Sequence, residues 1–340
     1  MSESNVTEKF YIAVSISSFE MLKHLNFDLF DFIITGDPFC RSLRDNPTRD
    51  METLDRAIRY LEKNRGKVAF SLPVAPIESE IPYIDNVLAK LEKKFKWIEV
   101  HSPAMAMMIK NKKPNFRCLF SSMANVYSNL TANLMKSYDC AGGVLPYEME
   151  LEEIDMIKNS INMPIFLTVF GQVPISFSQY CMYYPQKYKY PFICQQDCEE
   201  GTVIDYGEGL KILHKGRVIY SLQSINMFEH LEDLVKRGFR HFRIEGNIMT
   251  ADVLNQVAEL LHNRLKAIAS GKRLQDINKV LLDLSPTGFC NGFYFGKRGI
   301  DYVNSAMQVV DNFAGLTPGQ AKTVSGGKKI TGLSGVKDQK

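Results

Sequence analysis

MPIFLTVF, residues 163–170, reads as a short apolar strand, and it runs straight into GQVPISFSQYCMYYPQKYKYPFICQQDC, residues 171–198. The second stretch breaks the pattern of the first. Pro174, Pro185 and Pro191 argue against a long helix. It holds Cys181, Cys194 and Cys198, spaced C-x12-C-x3-C. A strand that ends in an irregular, thiol-bearing loop is the pivot of the chain, so the question is what kind of sheet that strand belongs to.

Upstream, strands and helices alternate. Strands are expected at 10–16, 28–35 (DLFDFIIT), 67–72 (KVAFSL), 97–100 (WIEV), 116–121 (FRCLFS) and 142–145, with residues 163–170 as the seventh. Between them, residues 19–25, 50–63, 81–94, 104–110, 126–136 and 148–159 read as helices. Met51, Leu54, Ala57, Ile58 and Leu61 show helical spacing. Downstream of the cysteine loop, 203–206, 211–213 and 217–221 read as short antiparallel strands, joined at Gly207, Gly209 and Gly216. A helix over 226–237, an eighth strand over 239–245 (FRHFRIE) and a long helix over 251–268 follow. Eight strands alternating with helices predict an α/β fold: a (β/α)8 barrel of the TIM type with a cysteine-bearing loop inserted after strand seven. A doubly wound open sheet is the alternative. No G-x-G-x-x-G follows the first strand, so a dinucleotide site of that kind has no support.

The barrel domain is expected over residues 8–312, with the cysteine loop over 171–200. The chain loosens after residue 270, and 313–340, rich in Gly, Ser, Thr and Lys, reads as a disordered tail. Hydrophobic residues make up 45% and charged residues 23%, as in ordinary globular proteins, and the net charge of +3 gives no electrostatic case for nucleic acid. No apolar run reaches the ~18–20 residues of a membrane span. The first ten residues, MSESNVTEKF, carry acids and no apolar core of a signal, so a cytoplasmic protein is expected. Thiols stay reduced there, which favours metal or catalytic roles over disulfides.

Thiolate sites of tetrahedral type take four ligands. Cys181 lies beyond the C-terminal end of strand seven, the face where barrel sites sit. Cys40 follows strand two in a Gly-Asp-Pro loop on the same rim. Cys118 lies inside strand five and reads as core, Cys140 belongs to the opposite face, and Cys290 has no clear place. Cys40 is therefore the best fourth ligand. One close pair, Cys194-x3-Cys198, with two isolated partners suits an iron–sulfur cluster better than the paired knuckles of structural zinc, although spacing leaves zinc, or four unrelated thiols, open.

At these residues the chain resembles the collagenase-like peptidase family U32, over roughly residues 10–300. GDPFCRS (36–42) resembles the family's Gly-acid-x-x-Cys turn. FGQVPISFSQYC (170–181) resembles its F-G-R-x-P-L-A-Y-S-x-R-C run. Cys194 and Cys198 match its C-x3-C, NVY (125–127) its N-x-Y, and NGF (291–293) its N-G-Y. The peptidase signature carries a further cysteine seven residues before the one matching Cys181; here that position is Pro174. The resemblance implies a [4Fe–4S] cluster on Cys40, Cys181, Cys194 and Cys198. It also implies a UbiU-like protein as heterodimeric partner, and a role in oxygen-independent hydroxylation during ubiquinone biosynthesis, with prephenate as oxygen donor.

Around such a site, Arg41 and Arg44 are candidates to neutralise a cluster or clamp a carboxylate. Tyr183, Tyr184, Tyr188, Tyr190 and Phe192 are candidates to wall it, or simply to pack over the rim. Glu99, His101, Asn125 and Glu245, with Ser71, sit at or near strand C-termini and are candidates for binding or proton transfer. H-E-x-x-H and G-x-S-x-G are both absent, which counts against the usual peptidase machineries.

Overall fold

The computed structural model describes residues 9–40, 42, 45–183, 198, 200–207 and 210–310. Arg41, Arg44, Tyr184, Tyr188, Tyr190, Phe192, Cys194 and the tail from residue 311 lie outside the described residues.

Seven strands come first: β1 (Tyr11–Ile16), β2 (Phe32–Thr35), β3 (Val68–Ser71), β4 (Trp97–Val100), β5 (Arg117–Phe120), β6 (Cys140–Val144) and β7 (Ile165–Gly171). Then come β8 (Pro174–Phe177), β9 (Thr202–Asp205), β10 (Lys211–Lys215), β11 (Val218–Ser221), β12 (Ser224–Asn226) and β13 (His241–Glu245), followed by the short β14 (Phe289–Cys290), β15 (Tyr302–Val303) and β16 (Val309–Val310). β1 to β7 pair in chain order, each parallel to the last. β13 pairs in parallel with both β7 and β1 and closes the ring. The fold is therefore the expected closed eight-stranded (β/α)8 barrel.

The helices between the strands are α1 (Phe19–His24), α2 (Met51–Leu61), α3 (Ile81–Leu91), α4 (Pro103–Lys112), α5 (Asn129–Ser137), α6 (Leu151–Ser160), α7 (Leu231–Lys236), α8 (Ala251–Ala269) and α9 (Asn278–Leu284). Their starts follow capping chemistry. Asp50 accepts from the Thr53 amide at 2.7 Å, and Ser102 caps α4 ahead of Pro103. In α2, Leu54, Ala57, Ile58 and Leu61 face the barrel and are buried. Outward-facing strand residues such as Val14, Ile33, Phe70, Ile98, Phe120, Leu167 and Phe242 join these helix faces in one large core.

Inward-facing residues form a different core, because strand side chains alternate. Ala13, Ile34, Ala69, Leu119, Val144 and Phe166 fill the middle of the barrel. At the N-terminal end the filling is aromatic: Tyr11 stacks on His241 at 4.8 Å, and Phe32 meets Trp97 and Phe166 edge-on at 5.4 and 5.7 Å.

Four differences from the sequence reading have physical causes. First, the loop after strand seven is not wholly irregular. β8 pairs antiparallel with β11, and the sheet runs β8-β11-β10-β9. Pro174 sits at the start of that edge strand, where its missing N–H costs no ladder bond. Second, the helix expected over 226–237 shortens to α7. Asn226 belongs to β12, which pairs antiparallel with the end of β7, and its Oδ1 turns the chain by accepting from the Phe228 amide at 3.0 Å. Third, the strand expected from residue 28 begins at Phe32, because Asn26 nucleates a 3-10 turn over Phe27–Leu29. Fourth, the chain does not loosen after residue 270: Leu281, Phe289, Tyr294 and Tyr302 are buried on the main core. The expected domain limit at residue 312 lies outside the described residues. Among the described residues no helix is long and apolar enough to cross a membrane.

β7 can run beside the end of β13 only because it ends in glycine. Gly171 has φ +117, and a Cβ there would stand 2.2 Å from the Glu245 carbonyl oxygen.

Candidate functional site

The strand alternation that fills the barrel's middle with apolar groups brings polar ones to its C-terminal end. Ser15, Ser71, Glu99, Arg243 and Glu245 point inward there. His101, Ser121 and Tyr147 reach in from the segments that follow β4, β5 and β6, and all eight line a small cavity of about 20 Å³.

Arg243 sits between two carboxylates. Its Nη1 donates to Glu99 Oε1 at 2.6 Å, and its Nε lies 2.6 Å from Glu245 Oε1 without hydrogen-bond geometry. Ser15 and Tyr147 also donate to Glu245, the tyrosine at 2.8 Å. Ser71 donates to Glu99 Oε2 at 2.7 Å and lies 3.0 Å from His101 Nε2, while His101 Nδ1 meets Ser121 Oγ at 2.6 Å. Glu99 is 2% exposed and Glu245 1%, so this network stands out of water.

Burial by itself raises the carboxyl pKa of Glu99, but the charge of Arg243 and the hydrogen bonds from Arg243 and Ser71 bring it below its ordinary value. Burial lowers the pKa of His101 against the pull of Glu99, which keeps the imidazole neutral. The Tyr147 hydroxyl is pushed well above its usual range, by burial first and then by Glu245. Arg243 is held charged: Glu245 and Glu99 outweigh its burial. The mouth of the barrel therefore offers a fixed cation, ionised Glu99 and two neutral proton carriers, His101 and Tyr147. Ser71 and His101 touch, but this is not a hydrolytic triad, because Glu99 accepts from the serine instead of orienting the imidazole.

A larger cleft, about 770 Å³, opens beside this mouth. Ser122, Met123, Tyr147 and Pro174 line both spaces. Ile175, Phe177, Tyr206, Ile212, Phe293 and Tyr294 give the cleft apolar and aromatic walls, and Glu148, Lys211 and Arg298 add charge. Asn125 lines this cleft rather than the barrel mouth and takes a left-handed conformation, φ 56.

The cysteine site lies around the β10–β11 turn, residues 215–217. The Met182 amide, one residue past Cys181, donates to Gly216 O at 3.2 Å, and Arg217 holds Ser178 O and Gln179 Oε1 at 3.0 and 2.9 Å. A Cβ on Gly216, φ +65, would lie 3.2 Å from Cys198 Sγ, so glycine lets the turn come this close to that sulfur. On the other side, the Cys40 and Phe39 amides donate to Asp37 Oδ1 at 2.7 and 2.8 Å. Burial raises the pKa of Asp37, against those amides and the charges of Lys215 and Arg217. Phe39 packs against Phe177 and Tyr220 of the same sheet at 6.0 and 6.4 Å. The Cys181 and Cys198 segments thus meet at one cationic turn, the charges of that turn reach Asp37, which holds the Cys40 amide, and thiols are the donors an iron–sulfur group takes. Among the described residues no group of three or more His, Cys, Asp or Glu is set to hold a single metal ion; Cys194 lies outside them.

The sequence reading placed Ser71, Glu99, His101 and Glu245 correctly at one mouth. It missed Arg243 as their common partner, and also Ser15, Ser121 and Tyr147. Arg243 and Glu245 stand two apart in β13, which was a readable sign that they share a face. Tyr183, proposed as a wall residue, stacks on His214 at 5.3 Å and bonds Thr202, so it packs against the added sheet. Cys118 is buried in core as expected, opposite Cys140 in the register of β5 and β6, and the contact with Cys118, then burial, raises the Cys140 thiol pKa. Cys290 lies in β14 against the cleft, its thiol pushed up to about 12 by burial.

Compared with known proteins, the sequence model of peptidase family U32 matches residues 20–304. No curated protein matches the chain. Among solved structures, the U32 peptidase Mk0906 is 12% identical, with a TM-score of 0.39 over 50% of this chain and 71% of that one. A 2,3-dimethylmalate lyase of the PEP mutase/isocitrate lyase superfamily is 9% identical, TM-score 0.41, over 82% and 90%. The Group IV chitinase of Ostrinia furnacalis is 8% identical, TM-score 0.42, over 77% and 100%. Likeness at this level carries no argument about activity.

Proposed function

The chain belongs to peptidase family U32, and from that premise we propose that it is an iron–sulfur protein of the family's ubiquinone-biosynthesis branch, of the UbiV type. In this reading Cys40, Cys181, Cys194 and Cys198 hold a [4Fe–4S] cluster. The chain works in the cytoplasm with a UbiU-like partner, as a heterodimer, in oxygen-independent hydroxylation of a quinone precursor. The observation that supports the reading is the meeting of the Cys181 and Cys198 segments at the turn over 215–217, whose Lys215 and Arg217 act on Asp37, the residue that holds the Cys40 amide.

When bound, the cluster supplies one-electron chemistry. The chain's own groups do the rest. The apolar and aromatic walls of the cleft suit the body of a quinone precursor. Lys211 and Arg298 at that cleft are the cations suited to a carboxylate donor such as prephenate. Tyr147 lines both spaces, and its hydroxyl, held protonated on Glu245, links the cleft to the buried network.

The test is iron and sulfide content with a visible spectrum, on protein purified without air. About four irons and four sulfides per chain are expected, with a shoulder that bleaches on reduction. Cys40→Ala and Cys181→Ala should both lose the colour, and Cys118→Ala should keep it. One zinc and no colour, or equal iron in Cys40→Ala and wild type, would overturn the cluster. Undiminished quinone in anaerobic cells lacking this chain would overturn the pathway assignment. Turnover of peptides by the pure protein would favour a peptidase instead.

A further inference from the structure

Asn46 is fully buried six residues beyond Cys40, and its carboxamide spends all its hydrogen-bonding capacity on one loop. Nδ2 donates to Asp37 O at 3.1 Å and to Cys40 O at 3.3 Å. Oδ1 accepts from the Asp37 amide at 3.3 Å and from the Thr48 amide and hydroxyl, both at 3.0 Å. Asp37 works from the other side, where Oδ1 takes the amides of Phe39 and Cys40. The backbone of Cys40 is thus held at both ends, its N–H by Asp37 and its C=O by Asn46. The neighbouring Phe39 is wedged against Phe177 and Tyr220. A buried side chain whose donors and acceptor all close on one loop is costly to replace, because each orphaned partner then stays dry.

Cys40 needs such a clamp for a geometric reason. Cys194 and Cys198 sit four residues apart, and the segments of Cys181 and Cys198 both meet the β10–β11 turn. Cys40 comes alone, from the loop after β2, with no second cysteine near it in the chain. Its position relative to the other three rests on how rigidly that loop is fixed to the barrel rim.

We infer that Asn46 and Asp37 are positioning residues that bracket Cys40 and set it as the fourth ligand of the group held at the cysteine site. This rests on the cluster reading given above. Asn46→Ala and Asp37→Ala free one end of the Cys40 backbone. Asp37→Asn keeps an Oδ1 acceptor for the two amides, and Thr48→Val removes a bond to Asn46 that does not involve Cys40.

The experiment compares these variants with wild type and Cys40→Ala, purified without air, by iron content, by the electron paramagnetic resonance signal of a three-iron form after mild oxidation, and by melting of the iron-free proteins. Asn46→Ala and Asp37→Ala should lose roughly a quarter or more of the iron and convert to the three-iron form as Cys40→Ala does, the outcome of losing one ligand of four. Asp37→Asn and Thr48→Val should hold wild-type iron. The double variant Asn46→Ala/Cys40→Ala should hold no less iron than Cys40→Ala alone, because both act through one ligand. Wild-type iron and spectrum in Asn46→Ala and Asp37→Ala overturn the bracket, and so does a double variant that loses clearly more than Cys40→Ala. A wild-type protein without iron instead sinks the cluster reading on which the bracket stands.

Discussion

The two ends of the barrel are built from the same eight strands and have opposite chemistry. The N-terminal end is closed by rings: Tyr11 on His241, and Phe32 between Trp97 and Phe166. The C-terminal end holds Glu99, Arg243 and Glu245, with His101 and two serines between them, out of water. The ring end gains stability by burial alone. The mouth carries desolvated charges that break even only while every partner is present. A fold selected for stability alone has no need of the second arrangement, and this contrast is what makes the mouth, with the cleft beside it, the proposed working end.

The sharpest way to break the contrast is to remove the shared cation. Arg243→Met leaves Glu99 and Glu245 buried without it and should cost about 3–5 kcal/mol, read by urea unfolding. A loss under about 1 kcal/mol would mean that the mouth is no more charged than the floor. At the barrel's middle, Ile34→Val removes one buried methyl group and should cost about 1 kcal/mol by the same measurement.

A third test uses pH. The folded pKa of His101 is depressed below the ordinary 6.5, so the unfolded chain binds its proton first. Its contribution is whole above about pH 6.5 and is lost as pH falls below that, by at most ~1.4 kcal/mol per pH unit. Glu99, also depressed, adds its loss only below about pH 4.5. His101→Gln should reduce the slope of the stability profile between pH 6.5 and 5 by one group's share, while His214, His230 and His241, whose pKa values burial also lowers, keep the remainder, and the limb below pH 4.5 stays in place. An unchanged slope would show that His101 is not among the groups held neutral. The smallest effect belongs outside the barrel, where Lys94→Ala, breaking an exposed pair with Glu62, should change stability by less than about 0.5 kcal/mol.

Much of the barrel and part of its mouth are legible in the amino-acid sequence. The apolar runs of β1 to β7 and β13 stand out because each is bounded by turn residues and all but β7 are followed by a helical repeat. Glu99, His101 and Glu245 can be picked because polar groups at the ends of barrel strands have little structural reason to be there. Arg243 escapes because β4 and β13 face each other only once the ring closes, and 144 residues separate the pair in the chain. β8 escapes because four residues led by a proline look like loop, and its partner β11 lies beyond the whole cysteine segment, with a register shift at Ile219 and Tyr220. Asn46 gives no signal at all: a lone Asn in a polar loop is ordinary until its partners are seen. Of the four proposed ligands, Cys40 is readable as part of a turn. The meeting of Cys181 and Cys198 at Gly216 depends on a hairpin whose pairing with β8 has no local signature.

Only Gln172 and Val173 separate β7 from β8, and both are tied down, Gln172 to the carbonyls of Ser221 and Leu222 and Val173 to Ser221. One stretch of chain therefore serves as barrel stave and as first strand of the added sheet. This dictates where descendants of the sequence can change length. A single residue gained at 172–173 turns β8 over, moving Ile175 and Phe177 off the face they now present and dragging the Cys181 segment with them. Residues gained beyond Phe177 and before Thr202 leave both staves in step. The root of this appendage is thus as constrained as the barrel wall.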